Sequence, residues 1–442
     1  MSVRLTRGIY AVIGLIALTI PALVSAPASA APHRVDTVND AAATDVNGDG
    51  STDFTLTGVS GWNTLPTAFS NNNGSFTVTN SYVGDFGAWA ATPGVKVLAG
   101  DFNGDGHTDV ALTGVAGWNT LPVALSNGDG SYVVSNLGIG DFATWASTPG
   151  VKIVTGDFDG DGRTDVALTG VPGWNTLPTA LSNGNGSFTV TNTYIGDFAT
   201  WSASNGVKVI TGDFNGDRRT DVALTGVSGW ASLPVAFSNG NGSYSVTNNA
   251  IADFATWAAT PGVHALTGDF NGDNRTDVAL TGVSGWASLP VAFSNGNGSF
   301  GVTNSGVGSF ATWAATPGVK VLTGDFNGDR KTDVVLTGVS GWASLPTAFS
   351  AGNGSFGITN TGVASFATWA ATPGVKVVAG DVNGDNRTDL ALTGVPGWAS
   401  VPVAFSAGTG AYSVTNNAIT DFGTWASTPG ALVVSTPNNS PR

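Results

Sequence analysis

Cysteine is absent, which excludes disulfides, thiolate metal sites and a lipid-anchored cysteine. Glutamate is absent too: all thirty acidic residues are aspartate, and most fall in one recurring motif. Lysine and arginine number only sixteen, giving a formal net charge of −14. That balance argues against a nucleic-acid partner, because phosphate binding needs clustered cations. Histidine occurs three times, at His33, His107 and His264, and never at equivalent places. Beyond the N-terminal stretch no run approaches the roughly 18 to 20 apolar residues that span a membrane. Gly and Pro interrupt the chain every few residues, so a sustained helical period is also missing.

The N-terminal stretch has its own build. Arg4 and Arg7 precede an apolar run over 8–20, and small residues follow, ending Ala28-Ser29-Ala30. This is the pattern of a cleavable secretory signal over residues 1–30, with a mature start near Ala31 and a soluble, extracellular product. Losing two of the sixteen cations leaves fourteen against thirty acids, a net charge of −16. Length alone suggests two or three domains, but a closed repeat overrides that prior and argues for one over 31–442.

What the chain has is a regular beat. Asp-x-Asn/Asp-x-Asp-x-x-x-Asp occurs seven times, starting at Asp45, Asp101, Asp157, Asp213, Asp269, Asp325 and Asp381, always 56 residues apart. A unit of this size cannot bury its own apolar face and must stack on copies of itself. In the second copy, 95–102 and 110–115 read as strands on either side of the acidic loop, and 123–126 and 131–136 flank the hairpin signal Asn127-Gly-Asp-Gly. Four strands make a propeller blade. The fold class is therefore all-β, a seven-bladed β-propeller of four-stranded blades with no long exposed sheet edge. Segment 141–150 is left as a connection to the next copy. Either 430–436, which matches a first strand without a following loop, or 38–44, which leads into Asp45, supplies the first strand of blade one; closure by the C-terminal segment is favoured.

Each acidic loop offers side-chain oxygens at positions 1, 3, 5 and 9 and a backbone carbonyl at position 7. The candidate ligands are Asp45, Asn47, Asp49, Ser51 and Asp53, then Asp101, Asn103, Asp105, His107 and Asp109, and in the third loop Asp157, Asp159, Asp161, Arg163 and Asp165. The fourth and fifth loops supply Asp213, Asn215, Asp217, Arg219 and Asp221, and Asp269, Asn271, Asp273, Arg275 and Asp277. The last two supply Asp325, Asn327, Asp329, Lys331 and Asp333, and Asp381, Asn383, Asp385, Arg387 and Asp389. A hard cation such as calcium takes this donor set, which predicts up to seven structural ions. Position 7 is free to vary if only its carbonyl binds. Carboxylates crowded into one loop repel one another, so metal should stabilise each blade. The simpler alternative is an Asp/Asn-rich turn that holds its own backbone. Loop three, with the additional carboxylate Asp159, should bind tightest. Arg218 and Arg330 stand at position 6, where φ > 0 is expected and a bulky side chain costs roughly 1 kcal/mol, so their loops should be weakest.

The stretch Leu98-Ala-Gly-Asp-Phe-Asn-Gly-Asp-Gly-His-Thr-Asp-Val-Ala-Leu-Thr-Gly114 resembles the FG-GAP or VCBS repeats of integrin-like propellers, a family in which the metal is structural. The segments Gly-Trp-Asn-Thr-Leu-Pro, Ala-Phe-Ser-Asn-Gly-Asn-Gly-Ser-Phe and Asp-Phe-Ala-Thr-Trp-Ala look like the seven-bladed lectins of the Psathyrella velutina type. That resemblance implies binding of N-acetylglucosamine, or of other N-acetylated sugars such as sialic acid, at pockets between adjacent blades.

All fourteen tryptophans occupy two repeated places. Trp62, Trp118, Trp174, Trp230, Trp286, Trp342 and Trp398 lie between the second and third strands; Trp89, Trp145, Trp201, Trp257, Trp313, Trp369 and Trp425 lie in the connection to the next blade. Loops of an up-and-down blade alternate faces, so both sets belong opposite the acidic loops and pair at blade boundaries. An indole packs on the C–H patches of a sugar while nearby polar groups fix its hydroxyls. Asp85, Asp141, Asp197, Asp253 and Asp421 could accept such bonds. Ser309 and Ser365 replace them in copies five and six, whose pockets should be weak if the carboxylate holds the ligand. Asn63, Asn119 and Asn175 give way to Ala231, Ala287, Ala343 and Ala399, so that amide is not required in every pocket. The competing role for these indoles is as wedges between blades.

Catalysis needs a singular constellation, and here the polar residues recur; no nucleophile with a partnered base and no phosphate loop stands out, and no Asp pair is placed as a glycosidase acid and base. A non-enzymatic, multivalent lectin for glycans carrying N-acetylated sugars is the reading. A calcium-dependent integrin-like scaffold for protein binding or adhesion is the alternative. Seven near-identical units favour a small repeated ligand, through avidity. The Asn-Gly-Ser triplets at Asn73, Asn185, Asn241, Asn297 and Asn353 match glycosylation acceptors but read better as hairpin turns.

Overall fold

A computed structural model describes residues 44–363 and 365–434. The expected leader, 1–30, lies outside them, as do 38–43 of the N-terminal match and 435–436 of the C-terminal one.

Blade two shows how the sequence makes its sheet. Strands Lys96–Gly100, Asp109–Thr113, Thr120–Ser126 and Tyr132–Gly138 pair antiparallel in that order. The second strand, DVALT, is buried at every position, as a mid-sheet strand covered on both faces must be, and so it reads as a continuous run instead of alternating. The third strand begins at Thr120, earlier than expected, and takes in Pro122. Its ladder with the second strand is only Val110↔Ala124 and Ala111↔Val123, so Pro122 stands past the place where an N–H would be needed. The fourth strand pairs along its whole length, from Thr120↔Gly138 to Ser126↔Tyr132.

Seven such four-stranded sheets form the propeller. In blade one the inner strand is Leu432–Val433, paired as Leu56↔Val433 and Thr57↔Leu432, so the C-terminal segment closes the ring. Thr44 adds an isolated bridge to Asp53. The first strands of successive blades, from Lys96–Gly100 to Lys376–Gly380, touch one another in sequence and so surround the axis.

The connection after each fourth strand differs from expectation. It is a short helix: Asp85–Ala90, Asp141–Ala146, Asp197–Ser202, Asp253–Ala258, Ser309–Ala314, Ser365–Ala370 and Thr420–Ala426. Helices this short are unstable alone in water. Phe86, Phe142 and their equivalents hold them by inserting, wholly buried, into the adjoining core. Fewer than two turns cannot display a 3.6-residue period, which is why the sequence conceals them.

The core is divided into seven layers, one at each blade boundary. Between blades two and three, Leu98, Phe102 and Leu121 meet Val166, Leu168 and Ala180. Polar ties run across the same boundaries. Thr164 N–H donates to the Asp101 carbonyl and Ser182 Oγ to the Phe102 carbonyl, both at 2.6 Å. The equivalent bonds from Thr52 to Asp381 and from Ser70 to Val382 join blade one to blade seven. Gly100 is required by this contact: a Cβ there would lie 2.4 Å from Thr164 Oγ1. At the other end of the first strands, Lys152, Lys208, Lys320 and Lys376 donate from Nζ to carbonyls of the following blade.

Candidate functional site

The second strand of each blade runs from an acidic loop to a tryptophan turn, so the two candidate sites lie at opposite ends of it. In the second loop Asp101 accepts from the N–H groups of Gly104 and Gly106 at 2.6 and 2.8 Å, and Asp105 accepts from His107 N–H at 2.9 Å. Asp109 is wholly buried and accepts from Phe102 N–H at 2.8 Å and Ser126 N–H at 2.7 Å. One carboxylate thus pins the loop entrance to the end of the third strand. Asp53, Asp165, Asp221, Asp277, Asp333 and Asp389 make the same two bonds.

Burial pushes all seven of these carboxyls up to about 8, and the other carboxylates of each loop add to the effect against the opposing backbone hydrogen bonds. Position 1 shifts the same way for the same first cause at Asp45, Asp157, Asp213, Asp269 and Asp381. A cation placed among such oxygens would relieve both burial and repulsion, so the donor set fits a hard metal ion. In loop three the carboxylate oxygens of Asp157, Asp159 and Asp165 lie within 4.8 Å of one another. Among the described residues this is the one acidic cluster of that kind, because Asn stands at position 3 of the other six loops.

Position 5 does not join that cluster. Asp161 pairs with Arg163, and the same pairing links Asp105 to His107, Asp217 to Arg219, Asp273 to Arg275, Asp329 to Lys331 and Asp385 to Arg387. Arg163 Nε also donates to the Ser182 carbonyl at 2.9 Å, while Ser51 instead donates to Asn72 Oδ1 at 2.6 Å. Position 7 is therefore more than a carbonyl: Arg163, Arg219, Arg275 and Arg387 tie the loop to the end of the third strand of their own blade and pair with position 5, Lys331 makes only the second contact, and Ser51 ties to the hairpin alone. Position 6 has φ between 63° and 87° in every loop, including 67° at Arg218 and Arg330. The Asn-Gly-Ser triplets are turns, with Asn73 Oδ1 accepting from Ser75 N–H and Oγ at 2.9 and 2.6 Å.

At the opposite end two indoles stand at each boundary. Trp145, on the helix leaving blade two, and Trp174, in the turn of blade three, pack on the same boundary core. Trp89 with Trp118, Trp201 with Trp230, Trp257 with Trp286, Trp313 with Trp342, Trp369 with Trp398 and Trp425 with Trp62 do so at the other six. All fourteen are half-buried. Wedge and wall are thus two sides of the same rings, with neither member of a pair committed wholly to the core.

At two boundaries a shallow, open cleft stands beside the indoles. One of about 220 Å³, between blades five and six, is lined by Trp313, Gly341, Trp342, Ala343, Ser344, Pro346 and Asn360. Its equivalent between blades six and seven, of about 170 Å³, is lined by Trp369, Gly397, Trp398, Ala399, Ser400, Pro402 and Asn416. Both are smaller than the roughly 300–1,000 Å³ of drug-sized sites and suit a single small ring. Asn360 and Asn416 escape the sequence reading. Each faces a strand proline, as Pro346↔Asn360 and Pro402↔Asn416, and Asn recurs there as Asn80, Asn136, Asn192, Asn248 and Asn304. Identity in all seven copies, beside positions that vary, is the signal that would have found it.

The aspartate at the start of the helix is placed differently. Asp85, Asp141, Asp197, Asp253 and Asp421 are exposed, one helical turn before the indole. Ser309 and Ser365, their replacements, line neither cleft beside them. The lining of these two clefts holds no carboxylate, and by the repeat Asp85 and its equivalents stand beside the corresponding walls and not in them.

A family profile described as the FG-GAP-like repeat matches residues 45–112, 101–168, 157–224, 269–336 and 325–392, more than half of the chain. Among solved structures, a lectin of Agrocybe aegerita, described as specifically recognising non-reducing terminal N-acetylglucosamine, superposes with a TM-score of 0.69 at 20% identity, over 89% of this chain and 97% of that one. It shares the fold. The Photorhabdus luminescens Tc holotoxin pore gives a TM-score of 0.46 at 14% identity, over 80% of this chain and 16% of that one, a likeness too slight to bear on function. No curated protein matches by sequence.

Proposed function

The chain belongs to the FG-GAP-like repeat family, and from that membership we propose that it is a secreted, calcium-stabilised, multivalent lectin that binds N-acetylglucosamine or related N-acetylated sugars between its blades. The observation that carries the reading is the pairing of half-buried indoles at all seven boundaries, with Pro and Asn completing a wall around a space for one ring. Apolar faces with a few fixed hydrogen-bonding groups are what a sugar requires. Seven weak pockets on a rigid ring would gain avidity on a surface dense in one sugar. The Agrocybe aegerita lectin has the same propeller fold and supports the choice of sugar to try first. Calcium is assigned to the acidic loops as a structural ion held by positions 1, 3 and 9, with the position 7 carbonyl. The reading is of a binder with no catalytic centre.

The test is retention of the calcium-loaded protein on immobilised N-acetylglucosamine, with free sugar as competitor. Retention reversed by the sugar, and weakened in Trp145→Ala and Trp201→Ala proteins, supports the lectin. A folded protein that passes through unretained sinks the assignment and favours the protein-binding scaffold.

A further inference from the structure

The seven boundaries are not equivalent at their rims. The residue two places beyond the wall Asn is Tyr82 in blade one and Tyr194 in blade three, but Gly138, Ala250, Gly306, Gly362 and Ala418 elsewhere. Residues two apart on a strand share a face, so each Tyr stands on the pocket side, about 7 Å past Asn80 or Asn192. Register places it beside the pocket as well: Thr64↔Tyr82 and Thr176↔Tyr194 are cross-strand pairs, and the equivalents of those threonines, Ser344 and Ser400, line the two clefts.

Both rings are unusually open. Tyr82 is 72% exposed and Tyr194 70%, the largest exposures among the large hydrophobic side chains of the described residues. Both lean away from the wall Asn: a methyl added at Gly84 would lie 3.9 Å from Cε1 and Oη of Tyr82, and one at Gly196 would lie 3.8 Å from the same atoms of Tyr194. The same two boundaries carry Asn63 and Asn175 where four others have Ala. Aromatic face, added amide and rim carboxylate, Asp421 or Asp141, thus coincide only between blades seven and one and between blades two and three.

We infer that these two boundaries carry a second sugar subsite, walled by Tyr82 and Tyr194, which takes the adjoining ring of a β-linked N-acetylglucosamine oligomer. The inference rests on the reading of the tryptophan pockets as sugar sites. From a position about 7 Å along the strand from the wall Asn, the Tyr ring offers an apolar face and a hydroxyl, where the other five boundaries offer a hydrogen or a methyl group. The protein therefore has two sites that read a chain and five that read a single ring.

Calorimetric titration of the calcium-loaded protein with N-acetylglucosamine, and separately with its β1,4-linked dimer, tests this. The monomer isotherm should be the same with and without the two tyrosines, whereas the dimer should add a minority class binding about 3- to 10-fold tighter than the rest. Tyr82→Ala/Tyr194→Ala protein, checked for an unchanged circular dichroism spectrum, should keep monomer binding and lose the tight dimer class; Gly138→Tyr should enlarge that class. Normal monomer binding without a dimer advantage, or a tight class that survives in the double variant, overturns the subsite and leaves the lectin intact. A folded protein that binds neither sugar overturns both.

Discussion

Asp109 and Trp145 belong to the same blade and to opposite kinds of site. The carboxylate of Asp109 is wholly buried, with both oxygens committed to backbone N–H groups of its own blade. Trp145 rests one side on the boundary core and leaves the other accessible. Around the acidic-loop face, Asp is invariant among the copies at positions 1, 5 and 9, and backbone bonds such as Thr164 to Asp101 stitch loop to loop. Around the tryptophan face the inner wall repeats, Trp with Trp, Pro with Asn, while the rim changes between Asn and Ala, Tyr and Gly, Asp and Ser. Repeats tolerate no change where each copy must lock onto the next. Where they meet solvent, copies diverge, and divergence at a rim alters what each pocket reaches.

The contrast is broken most severely by removing metal. If every loop holds calcium, chelation should lower the melting temperature by on the order of 10–20 °C, since each site contributes about 2.7 kcal/mol at a free concentration of 100 Kd. The pH dependence has a definite sign. A position 9 carboxyl raised to about 8 keeps, in the metal-free folded state, a proton that the unfolded chain releases near its ordinary value of 3.8. Metal-free stability should therefore be greatest in acid and fall as pH rises from about 4 to 8. Calcium displaces that proton, so its stabilising increment, read by scanning calorimetry at pH 5 and pH 8, should be larger at pH 8.

Asp109→Ala separates the backbone staple from the metal. It leaves the N–H groups of Phe102 and Ser126 unpartnered, each costing about 1–3 kcal/mol, and the loss should appear in the denaturation midpoint even in chelator. On the other face, Trp313→Ala or Trp342→Ala should remove one sugar site and reduce titration stoichiometry by one in seven, with calcium-dependent melting unchanged. The smallest effect is expected from Ser309→Asp, which restores a rim carboxylate beside the wall. It should tighten that one pocket by a single hydrogen bond, about 0.5–1.5 kcal/mol. No change in any site would place Asp85 and its equivalents outside recognition.

Most of the architecture was legible because the period of 56 residues is exact and each unit carries its own strand and turn signals. The closure by Leu432–Val433 could be read as a strand in search of a sheet. The helices could not, since Asp-Phe-Ala-Thr-Trp-Ala is held by the burial of Phe142 and not by its own periodicity. Pairing of the indoles followed from the direction of the connections. The wall asparagine was hidden because Asn beside Thr near a strand end looks like ordinary turn chemistry. Arg163 and its equivalents were misjudged as indifferent, because their contacts lie on the end of the third strand and on a carboxylate whose orientation only the folded loop reveals.

The measurement that bears most directly on the division of labour between the two faces is a crystal structure of the protein grown with calcium and N-acetylglucosamine. The account predicts sugar density between tryptophan pairs, touching Asn360 or its equivalents, and calcium density confined to the acidic loops with no sugar beside it. Sugar coordinated to metal at an acidic loop, with the tryptophan pockets empty, would contradict it.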